Sequence, residues 1–529
     1  MRVKPRNVRR AVHQLTSLPA PIGGLNVRDS LALMPANDAL VLTNWVAQQY
    51  GVRARKGYSE WAINLTGGEV KTVMPYLPDR SVPASDKIFA ATDTNIYDVT
   101  SSTNAPPVSA VLSGGSDAGR FSFVSMSNSA GSFLLAASHA GGYRYWDGAA
   151  WQTPVLVGLN NSDVVYVTTW KRRVWFVKKS TSEVYYGGLD AVTGTWTKFD
   201  LGPFLMHGGK IACIATWSID AGEGIDDLLV FVGENGDVLI YKGTDPTSAT
   251  TFEKVGSWYV GRLPVGKRCV QVLGGDLLIL SEMGLQPLSY VTRGGQSLLR
   301  ASSVDYLGKI QPRLAELMGT LADQTGWDLI LFPRENYLMV SKPLGGFSAY
   351  EQYTLYTNTN KWSLFQGVPM TCGAVADNAF YFGTSDGKVC LGFSGYFDAV
   401  AYGATSGNSI VGQIQTAYNY FGSPGQNKQF LMIRPNFLAA DRPGVFAQVT
   451  VDFETALATG TPTTGVPSGS LWDVALWDSG VWGGNLLSFA DWLTVNAIGM
   501  AGSAVLDTAV LGDTVLASID WMIEKGGPF

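Results

Sequence analysis

Histidine is the scarcest chemistry-bearing residue in this 529-residue chain, with three in all: His13, His139 and His207. They are isolated, with no H-x-x-x-H or mixed Cys/His spacing that would ligate a metal. A Ser-His-Asp site would have to use one of them, and no G-x-S-x-G elbow stands nearby. Cysteine is nearly as rare. Cys213, Cys269, Cys372 and Cys390 include no C-x-x-C pair, which excludes a disulfide framework. They read as small buried residues of a protein assembled in a reducing cytoplasm. No run approaches the ~20 apolar residues of a spanning helix, and no apolar run follows the basic N-terminus, so no signal peptide is expected. Charged residues make up 15% against 46% hydrophobic, which excludes general disorder. No carboxylate pair is marked out for glycoside chemistry. The expectation is a protein that is not an enzyme and uses no cofactor and no metal.

What the chain does have is glycine (61), tryptophan (16) and 12% aromatics, the mix of turn formers and strand formers that signals an all-β fold. One pattern recurs: an apolar strand, a short polar or Gly turn, and a second strand often ending in an aromatic. Copies start at Ile88, Phe133, Val174 and Leu228, with looser ones at Leu277, Leu329 and Ala379. Their spacing of about 41 to 54 residues is that of four-stranded propeller blades. Seven copies predict a β-propeller of six to eight blades over residues 61–410; the competing reading is a string of unrelated hairpins in a sandwich or barrel. Gly236 in Glu-Asn-Gly-Asp and Gly387 in Ser-Asp-Gly-Lys are placed to supply the positive φ of tight turns. Residues 1–60 read as an N-terminal arm with a short helix, and 411–529 as a separate β-rich domain. Two helices are predicted. Asp38 to Gln48 follows Pro35 and Asn37, with Leu42, Trp45 and Val46 on one side. Gln311 to Gln324 opens with Pro312 and spaces Leu314, Leu317, Met318 and Leu321 helically.

Three motifs come close to known chemistry. Gly261-Arg-Leu-Pro-Val-Gly266-Lys267-Arg268 resembles a phosphate loop, but Arg268 stands where a magnesium-ligating Ser or Thr belongs, and a strand rather than a helix follows. It reads as a loop between blade strands. Leu189 to Phe199 superficially resembles a sialidase Asp-box turn with the wrong Asp-to-Trp spacing, and Trp196 reads as an aromatic filling the gap between blades. Trp472, Trp477 and Trp482 lie five apart in a turn-rich stretch and read as local packing or a subunit contact.

The net charge of −5 is unevenly spread. Met1 to Arg28 holds no acid, and Arg2, Lys4, Arg6, Arg9 and Arg10 form a basic arm too polar to bury itself. It reads as an assembly contact, with a solvated tail as the alternative. Pro443 to Glu524 holds no Lys or Arg. Its Asp473, Asp478, Asp491, Asp507, Asp513 and Asp520 are candidates for the wall of a conduit that must pass DNA without binding phosphates, or for turn caps on an outer surface.

The stretch Pro19 to Tyr58, with Gly23-Gly24, Asp29, Pro35, the helix expected around Asn44 and Arg55-Lys56-Gly57, resembles the start of tail hub or nozzle proteins of short-tailed bacteriophages, also called packaged-DNA stabilisation proteins. Gly233 to Ser289 and Tyr381 to Phe437 are similar as well. The resemblance implies a propeller-containing structural subunit of the virion tail, assembled in the host cytoplasm as a homo-hexameric ring around the DNA exit channel. Its implied partners are a head-to-tail adapter protein, tail fibre, spike or needle proteins, and double-stranded DNA that passes without sequence readout. It implies no small-molecule substrate. A propeller-fold glycan hydrolase or sugar-binding module is the alternative, and a cytoplasmic propeller scaffold for peptide binding is a further one. Deleting residues 1 to 10 is expected to weaken docking to the adapter, measured by co-sedimentation; unchanged docking would mark the arm as a solvated tail.

Overall fold

A computed structural model describes residues 13–79, 81–220, 225–248, 250–293, 308–454, 460–462 and 486–528. Among these, antiparallel sheets follow one another around an axis in chain order. Six are four-stranded blades: residues 72–111, 121–152, 164–200, 211–259, 328–366, and 372–392 completed by Tyr58–Ala62. A three-stranded sheet, residues 270–287, completes the ring at the fifth position. Neighbouring sheets touch in sequence order and the last touches the first, so the ring closes. This is a β-propeller, and each of the seven predicted hairpins lies in a different sheet. The 372–392 blade is closed by a strand from far upstream: Tyr58 pairs with Gly392 and Ala62 with Val389.

Local sequence explains the blades. Middle strands such as Gly131–Ser138, Arg173–Lys178 and Asp276–Ser281 are runs of buried residues, because both faces are covered by neighbouring sheets. The gaps between blades are filled by aromatic clusters. Trp175, Phe231 and Phe252 join the third and fourth blades, and Tyr337, Phe365, Phe380 and Phe393 the sixth and the last. Trp196 does what its position predicted: it is buried, 4.1 Å from Phe176, between the second and third blades. Gly236 and Gly387 turn at φ +96° and +76°. All four cysteines are buried and unbridged. The helix Gln311–Leu321 forms with Leu314, Leu317, Met318 and Leu321 buried. It lies on Gly284–Pro287, where a fourth strand of the short sheet would run.

The helix predicted over Asp38 to Gln48 does not form. Strands Ala39–Thr43 and Trp45–Gln48 stand there instead. Asn44 between them adopts φ +62°, which an α-helix cannot contain. The Leu42/Trp45/Val46 pattern that mimicked a helical face arises because both strands are buried on two sides.

Those strands also revise the expected division of the chain. Ala39–Thr43 joins the 328–366 blade to Asn408–Thr416, which pairs with Gly502–Val510 and then Gly444–Val451. One nine-stranded sheet therefore runs from a propeller blade into the C-terminal region. A seven-stranded sheet combines His13–Pro19, Trp45–Gln48 and Gly51–Ala54 with Gln426–Ala439, Leu487–Ala490, Leu493–Gly499 and Thr514–Pro528. Trp45, Phe430, Ile433, Phe437, Leu506 and Trp521 share one core beneath the two sheets. The segments 13–54 and 408–528 thus lie in the same sheets rather than in two separate units.

Arg55 locks this junction. Its side chain is fully buried and pairs with Asp398 at 2.6 Å. It also donates to Asn44 Oδ1 at 2.8 Å, the Lys56 carbonyl at 3.0 Å and the Gln366 carbonyl at 2.9 Å. Asn44 in turn donates from Nδ2 to the Val411 carbonyl at 2.7 Å and accepts the Gln366 N–H at 2.9 Å. Arg55→Met would leave the half-buried Asp398 carboxylate without its cation and the Lys56 and Gln366 carbonyls without their Arg55 donors, so a loss of about 3–5 kcal/mol is expected, read as a lower urea midpoint. Adding Asp398→Leu should recover part of it. A midpoint unchanged in Arg55→Met would refute this role.

Candidate functional site

The inner ends of several blades meet at the propeller axis, and there charged groups collect away from solvent. Arg268 follows the Gly261–Lys267 loop, which does connect two blade strands, Phe252–Tyr259 and Val270–Leu273. Gly266 at φ +120° and Lys267 at φ +69° turn the chain inward. Arg268 then spans the axis. Its Nη2 donates to Thr72 Oγ1 at 2.6 Å, the Lys71 carbonyl at 3.0 Å and the Phe121 carbonyl at 3.1 Å, and Nη1 reaches Asp328 at 3.4 Å. One side chain thus ties the fifth sheet to the first, second and sixth. Asp328 is fully buried, and burial raises its carboxyl above the usual range against the pull of Arg268 and Arg120.

Beside Arg268 lies a cavity of about 210 Å³. Asp117, Arg120, Lys267, Arg268 and Ser122 line its inner part, and His139 and Thr325 its exposed rim. Lys71 is bonded to Asp93 at 2.8 Å and Asp117 at 2.9 Å. Arg120 is left 3.6 Å from Glu69 and 3.8 Å from Asp117, beyond hydrogen-bond reach. Its Nε is buried without a hydrogen-bond partner. Burial, and then Arg268 nearby, lower its affinity for a proton. Lys267 donates only to the Val165 carbonyl at 3.0 Å, with no carboxylate within ion-pair distance among the described residues. Burial, reinforced by Lys210 and Lys179, brings its ammonium down to about 7. The arrangement can hold a small anion; among the described residues no cluster of three His, Cys, Asp or Glu side chains could hold a metal ion.

A second cavity, about 500 Å³, lies where propeller and C-terminal sheets join, bordered by Asn44, Gln366, Asp398, Gln413 and Asp507. The three histidines remain apart. His207 bonds through Nδ1 to buried Asp237 at 2.7 Å and lies against Tyr259, fixing a hairpin turn. His139 stands at the rim of the axial cavity, and His13 is exposed on its strand.

The four acidic candidates among the described residues each have a partner. Asp491 pairs with Arg442 at 2.6 Å, and Asp520 with Arg434 at 2.7 Å. Asp513 accepts Arg53 Nε at 2.7 Å. Asp507 is buried and accepts Gln413 Nε2 at 2.8 Å and the Gly460 N–H at 3.0 Å. The three balancing arginines all come from outside Pro443 to Glu524, which a charge tally by segment cannot reveal. Asp473 and Asp478, the tryptophans 472, 477 and 482, and the basic arm Arg2, Lys4, Arg6, Arg9 and Arg10 lie outside the described residues. Arg120 sits 148 positions before Arg268, so proximity in sequence does not bring the axial cations together; only the Gly266-Lys267-Arg268 resemblance to a phosphate loop hints at them.

No family model matches the chain, and no curated protein does. Among solved structures, it is similar to the computationally designed Ika8 protein, at 12% identity and TM-score 0.34, over 66% of this chain and 96% of that one. It is similar to the WD40 β-propeller domain of Doa1, at 9% identity and TM-score 0.38, over 63% and 96%. A match to Chaetomium thermophilum Raptor has 12% identity and TM-score 0.36, over 64% of this chain and 29% of that longer one. The propeller assignment rests on the sheet order above.

Lys267 gives the site a pH signature. Its ammonium titrates near 7 when folded and near the ordinary 10.5 when unfolded. Between those values the unfolded chain holds more protons, so this residue makes stability rise with pH across that window. Lys267→Met should therefore melt higher than the unchanged protein at pH 7, with the gap closing as pH approaches 10. A gap independent of pH would refute the assignment.

Proposed function

We propose that this protein is a structural subunit of a short-tailed phage tail, a hub or nozzle that forms a homo-hexameric ring around the DNA exit channel. The observation that carries the reading is the nine-stranded sheet shared by a propeller blade and the C-terminal region. A sheet of continuous hydrogen bonds makes one stiff body from two folded parts, which suits a ring that must hold its bore under load. The stretch that resembles tail hub proteins supports it too, because its marked residues are the joints of this body. Arg55 and Asn44 lock the sheet crossing. A Cβ at Gly57 would run into the Phe397 carbonyl. Asp29 accepts Asn26 Nδ2 at 2.8 Å, and Asn26 also donates to buried Asp38 at 2.7 Å.

In this reading the ring meets a head-to-tail adapter on one side and fibre, spike or needle proteins on the other. It lets double-stranded DNA pass without reading its sequence, and it resides in the virion tail after assembly in the host cytoplasm. Light scattering and negative-stain images of purified protein test it. Six-subunit rings are expected. Monomers at every concentration, or turnover of a host polysaccharide by those monomers, would favour a propeller-fold glycan hydrolase instead.

A further inference from the structure

The axial cavity carries an inference that is independent of ring formation. Burying a cation without a partner is costly, and folded proteins supply such groups with carboxylates, carbonyls or ligands. Arg268 is supplied: four oxygens from three other sheets surround its guanidinium. Arg120 and Lys267 line the same cavity and make no hydrogen bond to a carboxylate, Arg120 having Glu69 at 3.6 Å and Asp117 at 3.8 Å as its ion-pair neighbours. Arg120 keeps a buried Nε with no acceptor, with side-chain exposure of 9%. Lys267 has a single neutral carbonyl. Asp117, at the cavity wall, is shared between Lys71 and Arg120, Glu69 stands 3.6 Å from Arg120, and Asp328 is taken by Arg268, so Lys267 has no carboxylate of its own among the described residues. Two cations that make no hydrogen bond to a carboxylate converge, with Ser122 and Asp117 beside them, on one space of about 210 Å³.

We propose that this cavity binds a small tetrahedral oxyanion of phosphate or sulfate size, held between Arg120 and Lys267. The planar guanidinium of Arg120 would contribute a charge-assisted donor, and the Lys267 ammonium would contribute a compact second charge. The volume admits one such ion with its remaining water and excludes a nucleic-acid duplex, so the site takes a free ion rather than DNA backbone. Held there, the anion would bridge the second blade, which begins at Phe121, to the loop leading into the fifth sheet, adding a fastening at the axis beside Arg268.

Titration calorimetry and thermal melts with inorganic phosphate, sulfate and acetate, each against sodium chloride at equal ionic strength, test the proposal. Phosphate and sulfate should bind saturably and raise the melting temperature, with acetate weaker. Lys267→Met and Arg120→Met should each weaken binding about tenfold or more, as expected for losing one charge-assisted hydrogen bond. Arg442→Met, at an exposed pair far along the chain, should leave it unchanged. If either axial variant fails to fold, phosphorus NMR line broadening with the unchanged protein still reads the site. A response that chloride matches, or affinity unaltered in both folded axial variants, would overturn it.

Discussion

All five N–H donors of the Arg55 guanidinium are taken by oxygens: Asn44 Oδ1, the Lys56 and Gln366 carbonyls, and both oxygens of Asp398. Full satisfaction is what allows a charge to sit at zero exposure. Each further hydrogen bond offsets part of the hydration the buried pair gives up. The partners come from the chain's early strands, the sixth-position blade and the segment after the last blade. Where Asn44 turns with positive φ, the chain leaves the nine-stranded sheet and enters the seven-stranded one. The propeller and the C-terminal sheets hold their relation through that corner.

Arg120 is the instructive contrast. Both arginines are buried, yet one is saturated and the other keeps an idle donor beside a cavity. A saturated arginine explains architecture and nothing more. An arginine whose carboxylate neighbours stay at 3.6 and 3.8 Å, close to a lysine whose ammonium is pushed down by burial, marks a less firmly tied place in the fold. Hydrogen-bond accounting separates the two where burial alone would class them together.

The propeller was legible because its signals are local. Each hairpin carries its own turn glycine and aromatic end, and the helix at Gln311–Leu321 carries its own proline and apolar stripe. What escaped sequence reading is what depends on distant segments. Ala39–Thr43 looks helical until Asn408–Thr416 is placed beside it. The acidic stretch looks unbalanced until Arg53, Arg434 and Arg442 arrive from elsewhere. Lys267 and Arg268 read as a failed phosphate loop, because the groups that give them meaning lie on other sheets.

The pairing of early strands with late ones has a consequence during synthesis. Arg53 and its partner Asp513 are 460 residues apart. At ~5–20 residues per second, roughly 20–90 s separate their emergence from the ribosome. For that interval Trp45–Gln48 and Gly51–Ala54 have no completed sheet to join, and Tyr58–Ala62 waits nearly as long for Val389–Gly392. Blades in the middle of the chain can assemble while the ribosome is still working; the two seams cannot. Such unpaired, apolar edges are templates for pairing with the wrong chain. On a polysome crowded with identical nascent copies, the seam strands rather than the blades are where misassembly would begin.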